Sequence, residues 1–455
     1  MPCLRGAIVA IVASTALFTS ASASAAVSVS AGGRVVDAEV CGNEKKVPLH
    51  LMQPGPREIV VSGARRAEVR IERCVDGAWK SYSKPAARRR SANRLRARPR
   101  LPAGVDLRVT AVSGRSTSSP LYIESVEPGT PGAIIDLPLS FDVQNLNRSR
   151  AACPSDGQTY RLNGHLVAPA SILVAPERAV TLHLHEFGFG EWFWRFEDRT
   201  YDYATQQALS GHASVVIDRL GYDSSPGPNG NNTCLGAHAD MANQVVQQLR
   251  GGKYELGGAP VRSFAKVALA GHSLGGSIAE ILAYSFGGVD ALVLFGWADS
   301  GFSSAVTAAA VQQSGRCADG GEPAEPGRES GYEFFASEEE SPRLLFNDAD
   351  PSVIERAKAL RNRDPCGDAN SNVPTVSVNR QNIDEIKVPI LLVFGDKDAG
   401  FSDPKAAAEG QKAAYTGSPE VTVEMVPNAG HAITLERAAP KARAVAHTWL
   451  RGHGF

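Results

Sequence analysis

The stretch Val267-Ala-Leu-Ala-Gly271-His272-Ser273-Leu274-Gly275-Gly276 decides how the rest of the chain is read. A short apolar run ends in Gly-x-Ser-x-Gly, and a helix-forming run, Ser277-Ile-Ala-Glu-Ile-Leu-Ala-Tyr284, follows at once. Alone, the five-residue pattern also describes an ordinary glycine-rich turn. Between an apolar strand and a helix it describes a serine lifted out at the tip of a sharp turn. Gly271 and Gly275 let neighbouring backbone pass close, and the helix N-terminus faces any oxyanion formed there. Ser273 is therefore the candidate nucleophile.

Working outward, further apolar runs alternate with helical text. Ala179-Val-Thr-Leu-His-Leu184, Ala213-Ser-Val-Val-Ile217, Ala291-Leu-Val-Leu-Phe295 and Val388-Pro-Ile-Leu-Leu-Val-Phe394 are continuous rather than alternating, as strands buried on both faces must be. Helical segments such as Ala237-His-Ala-Asp-Met-Ala-Asn-Gln-Val-Val-Gln-Gln-Leu249 lie between them. This rhythm predicts an α/β domain over 139–455 with a mostly parallel, doubly wound sheet. It breaks between about 301 and 385, where acidic, Gly-rich text with two cysteines separates two strands. A structureless loop of that length is rare, so an inserted cap with its own helices is expected, one of them near Lys358–Arg361.

Residues 27–138 read differently. Short segments of period two, such as Arg57-Glu-Ile-Val-Val61 and Val105-Asp-Leu-Arg-Val-Thr-Ala-Val112, predict a small antiparallel β-sandwich-like domain, joined through the linker-like Glu127-Pro-Gly-Thr-Pro-Gly132. Residues 84–100 carry Lys84 and seven arginines. They read as a solvated loop, with docking to an anionic cell-surface polymer as the sharper alternative.

The first 26 residues, with Arg5, an apolar run to Phe18 and small residues up to Ala26, describe a cleavable secretory signal peptide. Export leaves six cysteines and favours disulfides. Fifteen pairings are possible; keeping each bond within one structural unit gives 41 with 74, 153 with 234 and 317 with 366. No Cys-x-x-Cys pair occurs, so no metal site is expected, and no cofactor is implied. Across 455 residues the composition is 43% hydrophobic and 21% charged with net charge −1. That fits a globular protein of two or three units and gives no global sign of nucleic-acid binding. Beyond residue 26 no stretch is long and apolar enough to span a bilayer, so no integral membrane contact is expected.

Four motifs over about 140–455 together resemble the α/β-hydrolase superfamily. Ser273 matches the nucleophile elbow. Gly395-Asp396-Lys397-Asp398 follows a buried strand and matches the acid loop, and Asn428-Ala-Gly-His431 matches the loop of the catalytic histidine. The order Ser, Asp, His is that family's order. The fourth motif, His183-Leu-His185-Glu186-Phe187-Gly188, stands where relatives show His-Gly-x. The resemblance implies the α/β-hydrolase fold and the triad Ser273, His431 and Asp398. It also implies an oxyanion hole of the Leu274 and Phe187 N–H groups, with Gly188 as the alternative second donor. Asp396 and Asp299 are rival acids. His272 reads as packing and His185 as scaffold. Glu186 is either a salt-bridged loop residue or a substrate contact.

The function implied is a secreted serine hydrolase cleaving a small-molecule ester with an apolar part, carboxylesterase- or lipase-like, through an acyl-enzyme. Phe189, Trp192-Phe193-Trp194, Phe295, Trp297 and Phe302 are candidates for an apolar pocket. The alternatives are a prolyl-aminopeptidase-like peptidase and a catalytically inactive cell-surface binding protein.

Overall fold

The five apolar runs become five of the six strands in the parallel part of a nine-stranded sheet. The computed structural model describes residues 27–31, 34–41, 43–52, 55–75, 77–91, 93–102, 105–125, 134–175 and 178–455. The secretory segment and the 127–132 linker lie outside the described residues. In spatial order the large sheet runs Glu255–Leu256, Ile134–Gln144, Thr159–Pro169, Ser214–Ile217, Ala179–Leu184, Lys266–His272, Ala291–Phe295, Ile390–Gly395 and Val421–Val426. Neighbours are antiparallel as far as Ser214–Ile217, and every later pair is parallel. The parallel strands end together, so the loops that follow them converge on one edge, where this class of sheet places its ligands.

The strand Ile134–Gln144 belongs wholly to this sheet, so the division drawn after Pro138 falls inside it. Its side chains alternate between buried and exposed, which is why it reads like a strand of the preceding β unit.

In the N-terminal unit a four-stranded and a seven-stranded sheet enclose a core that includes Ile59, Val61, Val69, Ile71, Leu107, Val109 and Ile123. The strand Val105–Ser113 shows the expected period: Leu107, Val109 and Ala111 are fully buried and their neighbours are not. One pairing departs from the antiparallel expectation. Leu121–Ser125 lies parallel to Asn43–Met52, a neighbour it reaches by a long crossover rather than a hairpin. The arginine-rich run is not a loop either. Arg88–Ser91 and Arg94–Ala97 form a hairpin whose Leu95 and Ala97 enter the core, while Arg88, Arg89 and Arg90 stay exposed on an edge strand. Charge on an edge discourages further strand pairing. Glu58 collects Arg90, Arg96 and Arg98 at 3.1, 2.9 and 3.6 Å, so part of the positive charge is neutralised locally.

Between Ala291–Phe295 and Ile390–Gly395 the chain leaves the sheet and forms the cap. Its helices are Ser304–Ala318, Ser341–Leu345, Pro351–Ala359 and Cys366–Asn382. Six cysteines pair at bonding distance as 41–74, 153–234 and 317–366, with Cα separations of 5.4, 6.2 and 5.3 Å. The last bond ties the helix Ser304–Ala318 to the start of Cys366–Asn382 and so fixes the two ends of the cap against each other.

Candidate active site

The strand Lys266–His272 ends at Ser273, and the helix Leu274–Phe286 begins on the next residue. Ser273 pays for this with φ +48° and ψ −118°, a conformation that costs a non-glycine residue about 1–3 kcal/mol. Its N–H is anchored on Phe295 O at 2.8 Å. The flanking glycines are sterically required. A Cβ on Gly271 would stand 2.3 Å from Gly275 O, and one on Gly275 would stand 2.4 Å from Leu184 O.

His431 follows the strand Val421–Val426, and Asp398 follows Ile390–Gly395. His431 Nδ1 lies 2.9 and 2.8 Å from the two oxygens of Asp398, and Gly400 N–H donates to Asp398 Oδ1 at 2.8 Å. The rival carboxylates are elsewhere. Asp396 Oδ1 accepts the N–H of Asn428 at 2.7 Å and braces the turn. Asp299 is buried against Gln411 and Asn379, beside Glu280, and that burial raises its pKa to about 6.

The loop after Ala179–Leu184 is held by groups that motif reading does not identify. Buried Arg219 donates through Nε to His185 O at 3.2 Å and through Nη2 to Glu186 O at 3.3 Å. Its charge is met by Asp368 from the cap at 2.9 Å, which also meets His238 at 3.0 Å. A second cap carboxylate, Asp364, accepts the N–H of Gly188 at 2.5 Å. Gly188 is thereby spoken for. Among the described residues the N–H groups of Phe187 and Leu274 have no acceptor, and both residues line the cavity with Ser273. Arg219 sits in an Asp-x-x-Gly turn that reads as structural. Asp364 and Asp368 lie about 150 to 180 residues from their partners, and nothing local in sequence marks such contacts.

Glu186 turns its side chain into the site. Oε2 is 3.3 Å from His431 Nε2, and Oε1 is 3.6 Å from His272 Nδ1. Burial disfavours charge on His431, yet Asp398 and Glu186 outweigh it and raise its pKa well above the ordinary range. Burial also works against the Glu186 carboxylate, but the charged His431 beside it keeps its pKa below normal. His272 is held neutral chiefly by burial, its pKa lowered to about 4 despite Glu186. Its ring stacks on Phe193 at 4.5 Å, and Nε2 bonds to His431 O at 2.9 Å.

Above these residues is a cavity of about 400 Å³, walled on one side by the cap. Phe187, Phe189, Trp297, Phe302, Phe335 and Phe401 line it. Of the aromatic candidates read from sequence, Trp192, Phe193, Trp194 and Phe295 do not line it. Phe193, Trp194 and Phe295 fill the core beneath the sheet edge with Tyr203, where continuous strands leave room for large rings.

A sequence model described as the alpha/beta hydrolase family matches residues 180–444. No curated protein matches the chain. Among solved structures, similar ones include a thermophilic esterase from Thermogutta terrifontis, bound to malate. It is 19% identical, with 69% of this chain and 100% of that one covered and a TM-score of 0.49. The enol-lactonase from Burkholderia xenovorans LB400 is 16% identical, covering 64% and 97%, TM-score 0.47. A monoacylglycerol lipase from Paleococcus ferrophilus is 19% identical, covering 62% and 96%, TM-score 0.45. The family match spans more than half of the chain, and on that ground the chain belongs to the alpha/beta hydrolase family.

Proposed function

We propose that this protein is a secreted serine hydrolase that cleaves a carboxylic ester with an apolar acyl or alcohol part. The observation that carries this reading is one constellation. A strained serine stands at the floor of an apolar cavity, beside two acceptor-free backbone N–H groups and a histidine backed by a buried carboxylate. His431 takes the proton of Ser273 as the hydroxyl attacks the ester carbonyl, and Asp398 holds the ring and stabilises the imidazolium. The N–H groups of Leu274 and Phe187 receive the oxyanion; one such donor is typically worth about 3–4 kcal/mol in the transition state. The alcohol leaves with the proton from His431, and water repeats the sequence on the acyl-enzyme. Glu186 Oε2 faces His431 Nε2, the atom that must accept the serine proton, so turnover requires that contact to give way.

The cavity lining supports an ester over an amine-terminated peptide. Glu186 is the one carboxylate lining it and is engaged with histidines, whereas Val306, Ala310, Leu344 and Val376 extend an apolar wall. Val311 and Val373 continue that wall at the mouth, 67% and 71% exposed, where an acyl chain would enter. Three cysteine pairs at bonding distance are compatible with an oxidising, extracellular setting.

The test is a fluorophosphonate probe with intact-mass and peptide analysis, alongside hydrolysis of p-nitrophenyl esters. One label per chain on Ser273 is expected. Ser273→Ala should lose labelling and about 10⁴-fold or more of the rate while remaining folded. Labelling of a different residue, or ester turnover by folded Ser273→Ala near the wild-type rate, would remove this mechanism.

A further inference from the structure

The cysteine spacing offers no metal set, but three residues far apart in the chain do. Glu186, His272 and His431 each present one donor atom, and these atoms lie within 4.8 Å of one another in a buried setting. The hydrogen bonds behind them fix which ring nitrogen of each histidine is turned towards Glu186. His272 Nε2 faces the carbonyl oxygen of His431, which can only accept, so the proton sits on Nε2 and the Nδ1 lone pair points at Glu186. His431 Nδ1 faces the Asp398 carboxylate in the same way, leaving Nε2 directed at Glu186. A distal N–H given to a carbonyl or a carboxylate is the second shell that orients metal-binding histidines.

The contacts inside the cluster are poor hydrogen bonds. Glu186 Oε1 and His272 Nδ1 are buried and have no hydrogen-bond partner. At 3.6 Å they set one acceptor against another. Donor atoms bound at about 2.0–2.1 Å around a tetrahedral ion stand roughly 3.3–3.5 Å apart. The 3.3 Å between Glu186 Oε2 and His431 Nε2 already matches that edge, while His272 Nδ1 stands 3.6 Å from the other oxygen, Oε1; with the three donor atoms within 4.8 Å, side-chain shifts of about 1 Å close the remainder. Two imidazoles and one carboxylate form a donor set suited to zinc-class ions, with a fourth position open towards the cavity. Glu186 and His431 line that cavity, which supplies the entry path.

We propose that Glu186, His272 and His431 bind one zinc-class divalent cation, and that its occupancy switches the serine chemistry off. The second half rests on the reading of His431 as the base: an ion on Nε2 occupies the lone pair that would receive the serine proton. The first half stands without it.

Binding is therefore measured on Ser273→Ala protein, in which activity plays no part. Titration with Co²⁺ should give the visible absorption of a tetrahedral site at one ion per chain, displaced by Zn²⁺. Glu186→Gln, nearly isosteric and checked by circular dichroism, should weaken binding by at least about 100-fold, the upper end of what loss of a mere outer-shell partner costs. His447→Gln, which breaks the separate His212–His447 pair, should leave binding unchanged. In the wild type, Zn²⁺ should abolish ester hydrolysis and a chelator should restore it. Absence of Co²⁺ binding, or binding unaffected by folded Glu186→Gln, overturns the site. A wild type that holds the ion at this site yet hydrolyses esters at full rate overturns the switch alone. If no ester is hydrolysed at all, the Co²⁺ titration still decides the site.

Discussion

Glu186 is the residue at which this chain departs most from the expected pattern, and its chemistry can be tested by substitution. A base must be neutral to accept a proton, and two carboxylates hold the His431 pKa well above the ordinary value. The acidic limb of kcat/KM for p-nitrophenyl ester hydrolysis should therefore lie above the roughly pH 6.5 of an unperturbed histidine. Glu186→Gln removes one of the carboxylates, so the limb should move to lower pH. The profile should be recorded with a chelator present, and an unmoved limb would show that Glu186 does not act on His431. Asp398→Asn should lower turnover by about 10⁴-fold, since an amide leaves the wrong tautomer and cannot stabilise the imidazolium. Asp396→Asn should alter the rate little, because its carboxylate only braces a turn. Equal losses for the two variants would contradict the geometry. The positions of Ser273, Asp398 and His431 were legible because each follows a buried strand within a short recognisable motif. The aim of the Glu186 side chain was not, since it depends on the packing of His272 and His431, 86 and 245 residues away.

The elements that hold the site show the same divide. Ala179–Leu184 and Ala291–Phe295 are bounded by sequence with the residues observed, because strands covered on both faces must be apolar throughout. Among the described elements, the helix Cys366–Asn382 is the hardest to see: it is rich in Asn and Ser, contains Pro374, and has little apolar periodicity to announce it. Yet its N-terminal turn and the adjoining Asp364 carry the tie between the cap and the loop after Ala179–Leu184. Asp364 receives bonds from Gly188 N–H, Tyr222 Oη and Gln313 Nε2, so one carboxylate joins the loop, the turn after Ser214–Ile217 and the helix Ser304–Ala318. Asp364→Ala should release Gly188 and loosen Phe187. Misplacement of a catalytic donor by about 1 Å can cost 10²-fold, so kcat should fall by roughly 10- to 100-fold. Because the bond restrains the loop and not the cavity wall, KM should change less. A variant with normal kcat, folded by circular dichroism, would show that the loop keeps its shape without the cap.

At the scale of the whole molecule, each of the three cysteine pairs closes a loop within one region of the chain, with separations of 33, 81 and 49 residues. In the chain-entropy account, loops of that size stabilise by about 3.5–4.5 kcal/mol each, before any strain in the folded state. Where that stability is felt depends on which residues the loop encloses. Cys41–Cys74 ties strands of the N-terminal β unit, whose core of Ile59, Val69, Leu107 and Ile123 contains no residue of the candidate site. Cys317–Cys366 instead adjoins the cap residues that reach Gly188 and Arg219. Replacing Cys41 and Cys74 together by serine should therefore lower the first thermal transition while leaving kcat on p-nitrophenyl esters within about twofold, as expected for sites that share no contacts. Replacing Cys317 and Cys366 should reduce kcat at temperatures where the sheet is still folded. Calorimetry with activity on the same samples checks both. Loss of activity in step with the first transition of the Cys41/Cys74 variant would mean that the β unit and the hydrolase unit melt as one body and that the N-terminal sheets support the site directly.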